Sequence, residues 1–138
     1  MRIGSVHRDR VTAMSELGPV RLTLSAQTNT TDFAVGDWVL VAPDTRLLVR
    51  RLHRRMLLQR KTEGRRQTQL IAANVDTLLI VTSCNDDFNP ARLERYLALA
   101  NEAGAIPVIV LTKIDQTADP APYLRQAQAL QLGLESSR

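Results

Sequence analysis

The chain has 138 residues, 44% hydrophobic and 23% charged, which allows one ordinary domain or two small ones with a proper core. Its net charge of +4 and pI near 10.0 favour an anionic partner, and sixteen arginines against two lysines suit planar, bidentate phosphate recognition. The single cysteine, Cys84, excludes an internal disulfide and, with only His7 and His53 beside it, a four-ligand structural zinc site; with no apolar leader after Met1 and no membrane-length apolar run, a soluble, cytosolic chain is expected.

In chain order, the first elements read as short strands. Val6, Val11 and Met14 are spaced by polar residues, and Glu16-Leu17-Gly18-Pro19 is a turn. Val20-Arg21-Leu22-Thr23-Leu24 alternates with period two, as a half-buried strand does. Ser25 to Asp32 is a polar loop. Val35-Gly36-Asp37-Trp38-Val39-Leu40-Val41 is a turn running into a strand that Pro43-Asp44 ends, and Leu47-Leu48-Val49 begins another. Short strands at this spacing predict a small barrel or sandwich.

From Arg46 to Arg66 the charge becomes one-sided. Arg46, Arg50, Arg51, Arg54, Arg55, Arg60, Lys61, Arg65 and Arg66 face a single acid, Glu63. A solvated basic linker between domains would carry such a run. A cluster this one-sided beside a small barrel is more often a nucleic-acid face. Without interleaved aromatics it predicts backbone contact rather than base stacking. The candidate RNA-binding residues are Arg50, Arg51, Arg54, Arg55, Arg60, Lys61, Arg65 and Arg66.

The pattern then turns α/β. Val75 to Val81 is a near-continuous apolar strand, as in a sheet covered on both faces. Asn89 can cap a helix with Pro90 at its first position, Leu93, Leu97 and Ala100 share one face, and Gly104 stops it. Ile106 to Leu111 is the next strand, which completes a right-handed parallel βαβ unit. A further helix is predicted from about Pro122 to Leu132, capped near Asp119, and Gly133-Leu134 could lead to a third strand. Cys84 ends the first of these strands and reads as a buried small side chain.

Directly after the second apolar strand stands Thr112-Lys113-Ile114-Asp115. A carboxylate here can accept the N1–H and the exocyclic amine of guanine in parallel. Hydrogen bonds to a charged group contribute about 1.5–3 kcal/mol each, so losing the pair costs roughly 100-fold or more in affinity. Adenine opposes the same carboxylate with an acceptor and offers no second amine. Asp115 is the base-reading candidate, Lys113 would lay its stem along the base, and Thr112 can bond the backbone. The bland alternative makes Asp115 a helix cap in an ordinary strand-to-helix loop. A phosphate loop requires a lysine directly after a glycine. The two lysines, Lys61 and Lys113, follow Arg60 and Thr112, so none occurs in these 138 residues.

Taken together these segments resemble the ribosome small-subunit-dependent GTPases, a circularly permuted family that helps mature the small ribosomal subunit. The resemblance runs nearly the full chain. Its carriers are Val6 to Arg10, Val35 to Val39, Arg54-Arg55 leading into Gln59 to Thr62, Ile71-Ala72-Ala73-Asn74-Val75-Asp76, Asp87 to Tyr96, and Val110 to Asp115. It implies an all-β OB-fold barrel that contacts 16S rRNA of the small (30S) subunit, placed at residues 1–66. It implies at 67–138 the first part of an α/β P-loop-type GTPase domain, permuted so that base reading precedes the phosphate loop. By motif match Thr112, Lys113, Ile114 and Asp115 would bind GTP or GDP. The resemblance further implies ribosome-stimulated GTP hydrolysis, Mg2+ and a structural Zn2+ domain, with no ligands for either metal in this chain. A monomer is expected, as is the N-terminal portion of a longer protein, inactive alone for want of a phosphate loop. The competing reading is a non-enzymatic OB-fold RNA-binding module with a degenerate GTPase tail.

Overall fold

The computed structural model describes residues 1–61, 64 and 68–136, which form two compact units, Met1–Val75 and Asp76–Arg138. The first unit opens with an antiparallel meander of β1 (Arg2–Val6), β2 (Val11–Ser15) and β3 (Gly18–Arg21). The His7 N–H donates to the Arg10 carbonyl at 2.7 Å and closes the first turn. In the second, Ser15 Oγ accepts the Leu17 N–H at 3.2 Å and donates to the Gly18 carbonyl at 2.8 Å.

Two antiparallel pairs follow: β4 (Val39–Val41) with β5 (Leu48–Arg51), and β6 (Leu57–Lys61) with β7 (Thr68–Ala73). Isolated bridges at Arg2–Trp38, Thr23–Leu47 and Val35–Ala72 link the three sheets, which do not close into a barrel among the described residues. The core is Ile3, Val11, Ala13, Leu22, Val39 and Leu48, with Val6, Leu24, Phe33 and Val41 packed around it. Period-two alternation explains the set: Val11 and Ala13 point in while Met14 is exposed, and Leu22 is buried beyond the end of β3.

The turn read at Val35-Gly36-Asp37 is present, with Gly36 at φ 95°, and the strand after it runs from Val39. One expectation shifts. Thr68 to Ala73, expected on the far side of a boundary after Arg66, pairs with β6 as one hairpin. The chain divides after Val75 instead.

The second unit is a βαβα run. β8 (Thr77–Ser83) and β9 (Ile106–Thr112) are parallel, in register from Thr77–Ile106 to Ser83–Thr112. Between them α1 (Pro90–Ala103) starts with Asn89 Oδ1 accepting the Arg92 N–H at 3.1 Å and stops at Gly104, φ 78°. α2 (Ala121–Ser136) follows, with Asp119 Oδ1 accepting the Ala121 N–H at 3.0 Å. It continues through Gly133, so the expected lead into a third strand is helix.

Ile80, Leu93 and Leu97 form the core of this unit, with Leu78, Phe88, Ile109 and Leu130 against it. Cys84 is fully buried. Among the described residues only one sheet face is covered: Leu79 and Val81 are 61% and 64% exposed, and Ile106 65%. The sequence is patterned for a sheet buried on both faces.

Candidate functional site

The loops leaving β8 and β9 emerge side by side, because Ser83 and Thr112 are paired at the C-terminal ends of two parallel strands. That is where α/β sheets bind ligands. Thr112 anchors its loop: Oγ1 donates to the Thr82 carbonyl at 3.1 Å, and its own carbonyl accepts the Cys84 N–H at 3.0 Å. Thr112 therefore bonds backbone, as its chemistry allows.

Lys113 then takes a left-handed conformation, φ 53° and ψ 39°, which a side-chain-bearing residue adopts at a cost. A single 3-10 turn, Ile114–Gln116, follows, closed by the Gln116 N–H on the Lys113 carbonyl at 3.0 Å. Lys113, Ile114 and Asp115 are all exposed. The Asp115 carboxylate accepts no hydrogen bond from the described residues; the cap of α2 is Asp119. The helix-cap alternative for Asp115 thus loses its role to a residue four positions on.

The arginine cluster is divided by the fold. Arg54 is turned inward. Its Nε donates to Asp37 Oδ1 at 2.7 Å, and its Nη2 donates to Asp37 Oδ2 at 2.8 Å and to the Asp32 carbonyl at 2.9 Å. Arg51 Nη1 donates to the same carbonyl at 2.9 Å. Asp37 is fully buried, so an opposite charge must meet it there.

Arg50, Arg51, Arg55, Arg60 and Lys61 are exposed. Arg50 and Arg51 are adjacent on β5, and Arg60 and Lys61 on β6, so each pair is split between opposite strand faces. Arg60 Nε donates to Gln69 Oε1 at 3.0 Å across the hairpin. Arg65 and Arg66 lie outside the described residues. Gln27, Asn29, Arg51, Arg54 and Thr68 line an open groove in this unit.

Around Asp37 several motif residues meet. Gly36 packs so closely on Ala73 that a Cβ there would stand 2.0 Å from the Ala73 carbonyl oxygen. Asn74, left-handed at φ 55°, donates Nδ2 to the Gly36 carbonyl at 3.1 Å and accepts the Arg55 N–H on Oδ1 at 2.8 Å. Arg2 donates to the carbonyls of Gly36 at 3.2 Å and Asn74 at 2.8 Å. The segments 35–37, 54–55 and 72–74, scattered in sequence, meet in one polar knot around the buried Asp37 and Asn74.

Two residues escaped the sequence reading, Asn85 and Gln116. The Asn85 Nδ2 donates to Gln116 Oε1 at 2.7 Å. Polar residues in loops are common, and only the pairing of strand ends singles these two out. Among the described residues no group of three or more His, Cys, Asp or Glu is placed to hold a metal ion. Among the described residues no helix is long and apolar enough to cross a membrane.

The sequence model of the RsgA GTPase family matches residues 51–136. A Mesorhizobium japonicum protein named small ribosomal subunit biogenesis GTPase RsgA is 60% identical over 130 residues, which is 94% of this chain and 38% of that protein. A Vibrio parahaemolyticus protein named small ribosomal subunit biogenesis GTPase RsgA 2 is 44% identical over 130 residues, 94% of this chain and 36% of its own length. A Xanthomonas campestris relative of the first name is 44% identical over 107 residues, 75% of this chain and 29% of that protein. The chain thus spans little more than a third of the length of the Mesorhizobium and Vibrio relatives. Because the matched stretch takes in β6 to α2, with both the polar knot's Ala73-Asn74 and the Thr112–Asp115 loop, this chain belongs to the RsgA GTPase family.

Proposed function

We propose that the chain carries the guanine-reading and RNA-binding parts of a GTPase acting in biogenesis of the small ribosomal subunit. The observation that carries this is Asp115: an exposed carboxylate that accepts no hydrogen bond from the described residues, held on a strained loop at the C-terminal end of a parallel strand. Such a carboxylate is free to accept both donors of the guanine edge, with Lys113 beside it. The names of the relatives supply the biological setting. In the same reading the first unit is an OB-type domain that contacts 16S rRNA in the cytoplasm. Its meander and the bridges to β4, β5 and β7 support that assignment. The apolar outer face of β8 and β9 is the mark of a sheet that further elements complete.

The test is competition. GDP, but not ADP, should bind the chain weakly, and Asp115→Ala should remove the difference. Equal binding of both nucleotides, or indifference to Asp115→Ala, overturns the guanine assignment. The chain by itself should not turn over GTP, because hydrolysis depends on positioning phosphates and Mg2+. Turnover that Asp115→Ala abolishes would contradict that.

The exposed basic cluster of the first unit favours one second reading, a non-enzymatic RNA-binding module with a degenerate GTPase tail. It predicts salt-steep RNA binding that guanine nucleotide leaves unchanged.

A further inference from the structure

The two loops at the strand ends are tied together by one side chain outside the Thr112–Asp115 signature. Asn85 Oδ1 accepts the Ser83 hydroxyl at 2.9 Å and the Asp87 N–H at 3.0 Å. With both acceptor positions taken, the carboxamide is fixed in orientation. Its Nδ2 is thereby aimed at Gln116 Oε1, 2.7 Å away. Gln116 in turn closes the Ile114–Gln116 turn through its N–H on the Lys113 carbonyl at 3.0 Å. The turn that displays Asp115 is therefore secured at both ends: at Thr112 through the β8 backbone, and at Gln116 through Asn85.

We propose that Asn85 is a positioning residue for guanine recognition, holding the Lys113–Gln116 turn from the neighbouring loop through its hydrogen bond to Gln116. The physical need lies in the left-handed Lys113. A residue in that conformation persists only where its surroundings fix it. Thr112 fixes one side of it and the Asn85–Gln116 bond the other. A carboxylate that must accept two parallel hydrogen bonds tolerates little misplacement, so loosening one anchor weakens base reading without touching the base. This rests on the guanine assignment of Thr112–Asp115.

The experiment follows the backbone amides of the 138-residue chain by NMR, first without ligand and then through titrations with GDP and ADP. The variants are Asn85→Ala, Gln116→Ala, the double variant, Gln116→Glu and Asp115→Ala. Gln116 is exposed, so its replacement tests the bond with little risk to the fold. Asn85→Ala and Gln116→Ala should each speed amide exchange across Lys113–Gln116, leave Ile80 and Leu97 protected, and weaken GDP binding about 3- to 10-fold, the range of one net hydrogen bond. The double variant should be no worse than either single one, because both remove the same bond. Gln116→Glu keeps the acceptor and should stay near wild type. A GDP preference that Asp115→Ala removes but the other variants leave unchanged overturns the proposal alone. Loss of GDP preference in the wild-type chain overturns the guanine assignment and the proposal with it.

Discussion

Arg54 closes on Asp37 through two parallel hydrogen bonds, Nε to Oδ1 at 2.7 Å and Nη2 to Oδ2 at 2.8 Å, with the carboxylate fully buried. A third donor reaches the same carboxylate: Oδ2 also accepts the Ala34 N–H at 2.8 Å. One side chain of the basic run is thus a structural clamp. Removing either partner leaves the other desolvated and unpaired, a loss of about 3–5 kcal/mol for a buried pair. Asp37→Ala and Arg54→Ala should both lower the urea midpoint of the first unit strongly. Arg54→Lys should recover little, because an ammonium cannot supply the two-pronged geometry. A midpoint unchanged in either alanine variant would show that the clamp contributes nothing.

Gly36 is the least replaceable residue of the knot. Its φ of 95° disfavours any side chain, and a Cβ would overlap the Ala73 carbonyl oxygen at 2.0 Å. Gly36→Ala should therefore destabilise the first unit by more than the roughly 1 kcal/mol that a strained backbone position alone costs. Gly18→Ala is the control: φ is 105°, but nothing lies within 4 Å of its Cβ, so only the backbone strain remains. Thermal unfolding of the two variants should separate the two contributions, and equal losses would refute the steric one.

The division of the arginines predicts two kinds of RNA phenotype. Arg50→Glu, Arg60→Glu and Lys61→Glu change exposed charges and should weaken RNA binding with the fold intact. Each lost phosphate contact should reduce the slope of log K against log salt by about 0.7–0.9. Arg54→Glu should weaken binding only as far as it unfolds the protein. Filter binding across a salt series, alongside circular dichroism, distinguishes them. An unchanged salt slope in all three exposed variants would move the RNA face elsewhere.

The uncovered side of the β8–β9 sheet should make this chain adhesive at high concentration. Leu79 and Val81 are more than half exposed on that side, on a strand with an unpaired edge. Leu79→Thr with Val81→Thr keeps strand propensity and removes the apolar patch. Sedimentation should then show less concentration-dependent association, with helix content unchanged. Association unaffected by the pair would place the sticky surface elsewhere.

Local sequence determined much of this protein. Asn89, Pro90 and Gly104 bound α1 as capping chemistry requires, and the Leu93–Leu97–Ala100 stripe is its buried face. Alternation marks the inward residues Val11, Ala13 and Leu22, and Ile106–Thr112 is a strand from its apolar run alone. These signals reside within a few residues, where backbone preference and side-chain period act directly.

Tertiary structure decided what depends on partners distant in the chain. Nothing local distinguishes Arg54 from Arg55, yet one is bound to a carboxylate 17 residues away and the other is exposed. The sequence places the α2 cap near Asp119, where Oδ1 accepts the Ala121 N–H, but only the fold leaves the Asp115 carboxylate without a hydrogen bond from the described residues. Asn85 and Gln116 lie 31 residues apart and meet because parallel pairing aligns the ends of β8 and β9. Charge and composition are properties of a segment, but whether a charge is spent inside or offered outside depends on which acceptor the fold brings to it.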